Sequence, residues 1–154
     1  MTGYTSMMLG DYAFEALGFS YQNIKRKVNT PWVEIPVGQV LNQQQWTGPA
    51  SDEVTIGGVL FPQEFGGQTQ LDGLIDAALS GAELMLVTGD AGRGDIRGTF
   101  TIQGVEEDKT YIDRRGEAGK NAYTISLKRK ANAADLATGA ITSRAVTLLN
   151  DLFR

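Results

Sequence analysis

Residues 54–67 read VTIGGVLFPQEFGG, and the purpose of the Gly57–Gly58 doublet decides the fold. The segment alternates as a strand does. Val54, Ile56, Gly58 and Leu60 fall on one face, and Thr55, Gly57, Val59 and Phe61 on the other. Glycine weakens a strand, because it loses more backbone entropy than other residues and offers no side chain to pack. A bulge, the close approach of another backbone, or phosphate binding could each compensate. Phe61 and Pro62 end the strand, and Gly66–Gly67 turns the chain.

Beyond that turn, TQLDGLIDAALSG places Leu71, Leu74, Ile75, Ala78 and Leu79 at i, i+3, i+4, i+7 and i+8, one helical face. The spacing predicts a helix over about residues 69–80, with Thr69 as N-cap, Asp72 three residues on, and Gly81 at C′. Gly73 inside it costs only about 1 kcal/mol against alanine.

On the other side of the doublet, Met7–Leu17 puts Tyr12, Phe14 and Ala16 opposite Asp11 and Glu15, a half-buried strand. Met7 and Met8 read as core filler. Tyr21–Val28 is a second, more polar strand. WVEIPVGQVLNQQQW, residues 32–46, is bracketed by Trp32 and Trp46 and broken by Pro36 and Gly38. It reads as an edge strand or a projecting hairpin, and its tryptophans are candidates for an interface. Further strands are expected at Glu83–Thr88, at Ile96–Val105 with a bulge at Gly104, and at Ala122–Arg129. Ile96, Phe100 and Ile102 point inward in this reading, and Arg97, Thr99, Thr101 and Gln103 outward. Tyr111 and Ile112 form the near arm of a hairpin closing at Arg115–Gly119. After Ala131 the pattern turns helical, and Ile141, Ala145, Leu148, Leu149 and Leu152 make a second amphipathic stripe.

The whole is 154 residues, one domain that would bury roughly 70% of its unfolded surface. Nineteen glycines against four prolines favour the many turns of a β fold. A net charge of −4 argues against coating nucleic acid, which needs an excess of Lys and Arg. The basic runs Lys25–Lys27 and Lys128–Lys130 read as solvated or locally paired. No apolar run reaches membrane-span length, and the first residues do not read as a signal peptide, so folding inside the cell is expected.

Catalytic chemistry finds little purchase. With no Cys and no His, disulfides, zinc–thiolate sites and imidazole-based nucleophilic systems are excluded. GDAGRG, residues 89–94, could cradle phosphate, yet it leads into a strand rather than a helix and lacks the following Lys, so a hairpin loop is favoured. The carboxylate runs Asp52–Glu53 and Glu106–Asp108 read as loop charges. Neither a cofactor nor a metal is expected.

In order and spacing, MMLGDYAFEALGFSYQNIKRK (7–27), VTIGGVLFPQEFGG before a helix, IRGTFTIQGVEEDKTYIDRRG (96–116) and YTISLKRK (123–130) resemble the tail protein U (GpU) family of contractile-tailed bacteriophages. The resemblance spans roughly residues 4 to 130; the GVLFP strand end and the closing SLKR strand are its most specific pieces. It implies a mainly β (β-rich α+β) fold, a two-sheet antiparallel sandwich or barrel of the tail-tube type with one flanking helix. Residues 1–130 would form that domain and residues 131–154 a C-terminal helical extension outside the family's usual bounds.

It further implies a non-enzymatic virion part. This would be a homo-oligomeric ring, hexameric by analogy, at the tail and baseplate, assembled in the host cytoplasm. The ring would join the baseplate hub protein, beside a lysin-motif tail protein, to the tail tube protein. DNA would pass through its lumen without specific binding, and no membrane is involved. A head-proximal tail terminator or completion protein is the alternative within the family's setting, and a cell-wall-binding or wall-degrading module the alternative of another class. The candidate interface residues are Trp32, Trp46, Gly57 and Gly58, together with Leu148, Leu149, Leu152 and Phe153, which are expected to dock on a neighbouring subunit or partner.

Overall fold

The alternation around the glycine doublet becomes the strand on which the sheet is built. The computed structural model describes residues 5–15, 18–90 and 93–131. In chain order come β1 (Thr5–Leu9), β2 (Tyr12–Glu15), β3 (Asn23–Asn29), β4 (Trp32–Ile35), β5 (Gln43–Trp46) and β6 (Ser51–Leu60). Then follow α1 (Gln68–Leu79), β7 (Glu83–Asp90), β8 (Arg93–Ile112) and β9 (Ala118–Arg129). Seven strands form one antiparallel sheet of order β2-β1-β7-β8-β9-β6-β3, while β4 and β5 pair with each other.

Among the described residues the fold is mainly β with one flanking helix, as expected; the expected helical extension lies, from residue 132 on, outside them. The two expected layers are two halves of this one sheet, which share one core. Buried residues alternate along β6 (Val54, Ile56, Gly58, Leu60) and along β9 (Asn121, Tyr123, Ile125, Leu127). The register sets them directly opposite: Val54 with Leu127, Ile56 with Ile125, Gly58 with Tyr123, Leu60 with Asn121. Met7, Leu9, Leu86 and Phe100 complete the core from the other half.

The glycine doublet is explained at this point. A Cβ on Gly58 would overlap the carbonyl oxygen of Ser20 and come within 2.6 Å of the Tyr123 hydroxyl. One on Gly57 would overlap the Asn23 side chain. The Tyr123 ring leans into the space left open at Gly58, and its hydroxyl donates to the Ser20 carbonyl. From there aromatic rings lead to the opposite edge. Phe19 stacks on Tyr123 with centroids 5.2 Å apart, Phe14 of β2 stacks on Phe19 at 4.4 Å, and Tyr21 meets Phe14 edge-on at 5.7 Å.

Several sequence expectations need correction. Met7–Leu17 is not one strand: Gly10 (φ 60) and Asp11 make a two-residue turn between β1 and β2, with glycine where a type II′ turn requires it. Met7 is buried but Met8, on the outer face, is exposed. The helix starts two residues earlier than Thr69 as N-cap would place it. Gly67 (φ 93) is its N-cap, because a side chain there would strike the Gly18–Phe19 backbone. At the other end Gly81 does sit at C′: its N–H bonds Ala78 O and that of Ala82 bonds Ala77 O, a Schellman motif. Leu71 and Leu74 are buried and Ile75 packs on the core, but Leu79 runs past the sheet into solvent. Gly73 lets the helix approach Tyr12, whose ring would lie 2.7 Å from an added Cβ.

Strand β8 carries the expected bulge between Ile102 and Gly104. It also carries a second, at Gly98 (φ 113), where the register to β7 slips between Leu86 and Val87. That slip turns Arg97 towards Leu86 and Thr88 rather than outward. Asn121, fully buried, ties the helix to this strand by donating to Gln68 Oε1 and Glu107 Oε1, each at 3.0 Å.

Replacing Gly58 by alanine should cost about 1–3 kcal/mol through forced displacement of Ser20 or Tyr123, a fall of several degrees in Tm. Gly38→Ala, where nothing lies within 4 Å of the new methyl, is the matched control and should leave the melt nearly unchanged. Thermal unfolding followed by circular dichroism compares the two.

Candidate assembly surfaces

Beyond β3 and β6 the chain runs out as an arm. Asn29 O accepts from Ala50 N–H at 2.8 Å, and Pro31 O accepts from both the amide and the hydroxyl of Thr47. These bonds carry the ladder across Pro31 and Gly48 into β4 and β5, where Trp32 lies opposite Trp46 and Ile35 opposite Gln43. Every residue of both strands is exposed. Trp32 and Trp46 keep 56% and 55% of their surface in solvent, and Leu41, at the tip, keeps 91%. A two-stranded ribbon with this much uncovered apolar surface is marginal alone in water. Its composition suits a surface that another protein covers.

A second hairpin extends from β8 into β9. Its turn is held by Asp113, whose Oδ1 accepts from the amides of Arg115 and Glu117 at 2.8 and 2.9 Å. Tyr111 (φ 55) is forced into the left-handed region and stands out into solvent.

Among the described residues the sheet ends in two outer strands, β2 and β3, and these edges differ in charge. The β3 edge carries Lys25, Arg26 and Lys27; the β2 edge is flanked by Asp11 and Glu15. Arg26 is clamped to Asp52 on β6 in a two-point contact, with Nε to Oδ1 at 2.8 Å and a terminal nitrogen to Oδ2 at 2.6 Å. Arg129 adds a guanidinium nitrogen 3.9 Å from the same carboxylate. The Arg26 hydrogen bonds hold the Asp52 carboxyl below its ordinary pKa of 3.8, against the opposing effect of burial.

The structure places the candidate residues differently from one another. Trp32 and Trp46 come together as a cross-strand pair on the arm. Gly57 and Gly58 lie on an interior strand, covered by Ser20–Asn23 and Tyr123 of their own chain, so an interface with another copy is not what calls for glycine there. Leu148, Leu149, Leu152 and Phe153 lie outside the described residues. The sheet edges and Tyr111 were not singled out from the sequence. Edge position follows from strand order, which local pattern does not encode.

Around GDAGRG, Gly89 pairs with Gly94 and Asp90 with Arg93, so the motif joins the paired strands β7 and β8. Among the described residues no group of three or more Asp and Glu could hold a metal ion, and no helix is long and apolar enough to cross a membrane.

Comparison with known proteins adds three findings. The profile of the family described as Phage P2 GpU matches residues 10–132. A probable tape measure protein of Halomonas phage phiHAP-1 is 29% identical over 124 residues, 79% of this chain; the match spans only 14% of that relative's length. Two solved assemblies contain chains of the same fold. One is the tail of an empty gene transfer agent (GTA) particle refined helically with C6 symmetry (12% identity, TM-score 0.52). The other is the virion of a native gene transfer agent particle (12% identity, TM-score 0.54). In each the match covers 83% of this chain and 92% of that one. At such identity the likeness is one of fold.

Two outcomes follow from these surfaces. Because Asp52 titrates lower when folded than unfolded, its stabilisation is complete above about pH 4 and is lost as pH falls through the folded value. The stability gap between the native chain and Asp52→Asn, measured by denaturant unfolding, should therefore close on acidification. Trp32→Ser with Trp46→Ser should leave the monomer's melt within about 0.5 kcal/mol of native, as surface changes usually do.

Proposed function

The chain belongs to the Phage P2 GpU family, and we propose that it is a structural, non-enzymatic part of a contractile phage tail. In this role it forms a ring at the baseplate that joins the central hub to the first ring of the tail tube. The observation that carries the reading is the pair of unmatched sheet edges. A basic β3 edge on one copy and an acid-flanked β2 edge on the next are complementary but not identical, so their contact is head-to-tail. Such contacts close into rings when the rotation per copy is right, and backbone pairing along the edge extends one sheet through all copies.

Six copies is the number the reading adopts, following the symmetry of the GTA tail whose chain shares the fold. The Trp32–Trp46 arm reaches an adjoining ring or the hub, covering apolar surface that the single copy leaves in water. The hub, a lysin-motif tail protein and the tube protein are the neighbours this position supplies. The chain's net charge of −4 suits a lumen that DNA passes without adhering.

Native mass spectrometry of the protein, alone and mixed with hub and tube proteins, tests ring formation. A chain that stays monomeric in every mixture overturns the reading. Charge reversal tests the edge contact specifically. Lys25→Glu with Lys27→Glu should weaken self-association at least about tenfold through like-charge repulsion across the edge. Combining them with Asp11→Lys and Glu15→Lys should restore much of it. Gold labelling on intact particles separates the baseplate end from the head end.

A further inference from the structure

Side chains on β3 alternate, so Ile24, Arg26 and Val28 share one face. Across the ladder that face meets Ile56, Val54 and Asp52 of β6. Ile56 and Val54 are 0% and 4% exposed, whereas Ile24 and Val28 remain 40% and 49% exposed among the described residues. These two aliphatics belong to the core-facing side of the sheet, yet they lie at an opening. Between Ile24 and the opposite half of the sheet is a cavity of about 280 Å³, lined by Tyr21, Ile24, Arg26, Val54, Leu86 and Arg97 among others.

The chain leaves the described structure at the rim of this opening. At the end of β9, Arg129 reaches Asp52, the partner of Arg26. Its Nε would lie 3.0 Å from a Cβ added at Gly98, the neighbour of Arg97. Lys130 then donates its amide to Thr99 O at 2.9 Å and pairs with Glu83. Residues 132–154 follow, and the apolar stripe within them begins at Ile141.

We propose that residues 141–153 of the same chain seat this stripe in the opening, with Leu148, Leu149 and Leu152 filling the cavity and covering Ile24 and Val28. The intervening residues 132–140 could span up to about 30 Å if extended, so reach is not limiting. The chemistry matches: the aliphatic stripe meets Ile24, Val54 and Leu86 in the wall of the cavity. A tethered segment that starts beside its site has an effective concentration in the millimolar range, which favours the chain's own tail over that of a second copy. The extension thereby completes the core of the sheet.

The chain has no cysteine, so a pair of introduced thiols reports on this directly. Full-length protein carrying Ile24→Cys with Leu148→Cys, Leu149→Cys or Leu152→Cys is oxidised mildly at low concentration. At least one pair should form a disulfide within one chain, seen as a faster-running monomer on a non-reducing gel. Disulfides between chains, or none from any of the three pairs, overturn the proposal. Should the cysteine variants fail to fold, hydrogen exchange in full-length Leu148→Asp with Leu149→Asp decides. Exchange at Ile24–Val28 should accelerate tenfold or more, and an unchanged rate overturns the proposal. Both readouts concern a single chain, so they are independent of whether rings form.

Discussion

The absence of a side chain at Gly58, filled by the ring of Tyr123, is the constraint on which the architecture depends. A residue of any size there would push Tyr123 off the sheet and Ser20 away from it. The hydroxyl of Tyr123 would lose its acceptor, and Phe19 its stacking partner. Through Phe19 and Phe14 that contact reaches β2, the opposite edge of the sheet. The two halves of one pleated surface therefore share a core because one strand position was left empty and an aromatic ring fills it. Burial raises the Tyr123 pKa well above the ordinary phenol value, so the hydroxyl remains a donor at any pH the protein meets.

Among the described residues this sheet ends in two outer strands, β2 and β3, that no further strand pairs. In a free monomer such edges are a hazard, since they template pairing with any exposed strand. Here one edge carries cations and the other is flanked by anions, so like edges repel and unlike edges attract. That asymmetry favours a directional, repeating contact over a self-complementary dimer. The arm adds a second direction, since it projects from the end of the β3–β6 ladder rather than from its edge. In the proposed role these two directions would let one small body both close within a layer and connect layers.

Glycine runs through this account with three different causes. At Gly58 it admits a ring from a neighbouring strand, at Gly73 it admits Tyr12 against the helix, and at Gly81 it adopts the left-handed turn that ends the helix. The first two are packing requirements set by residues 65 and 61 positions away in the chain, and only the third is local. The same distinction separates the helix end that sequence located, Gly81, from the helix start that it misplaced, Gly67.

The sequence by itself determined the mainly β class and the helical face of Leu71, Leu74 and Ile75. It also determined the strand alternation of β6 and β9, the bulge before Gly104, and the hairpin nature of GDAGRG, while leaving residues 32–46 as either an edge strand or a projecting hairpin. These are features whose period or turn chemistry lies within a few residues. It could not determine the reason for the Gly57–Gly58 doublet, the Gly98 bulge that turns Arg97 inward, or which strands would be left as edges. Each of these depends on residues far apart in the chain being brought to the same place, and only packing the whole sheet decides which backbones meet. Local pattern fixes what an element is; its neighbours, and so its free surfaces, are chosen by the tertiary fold.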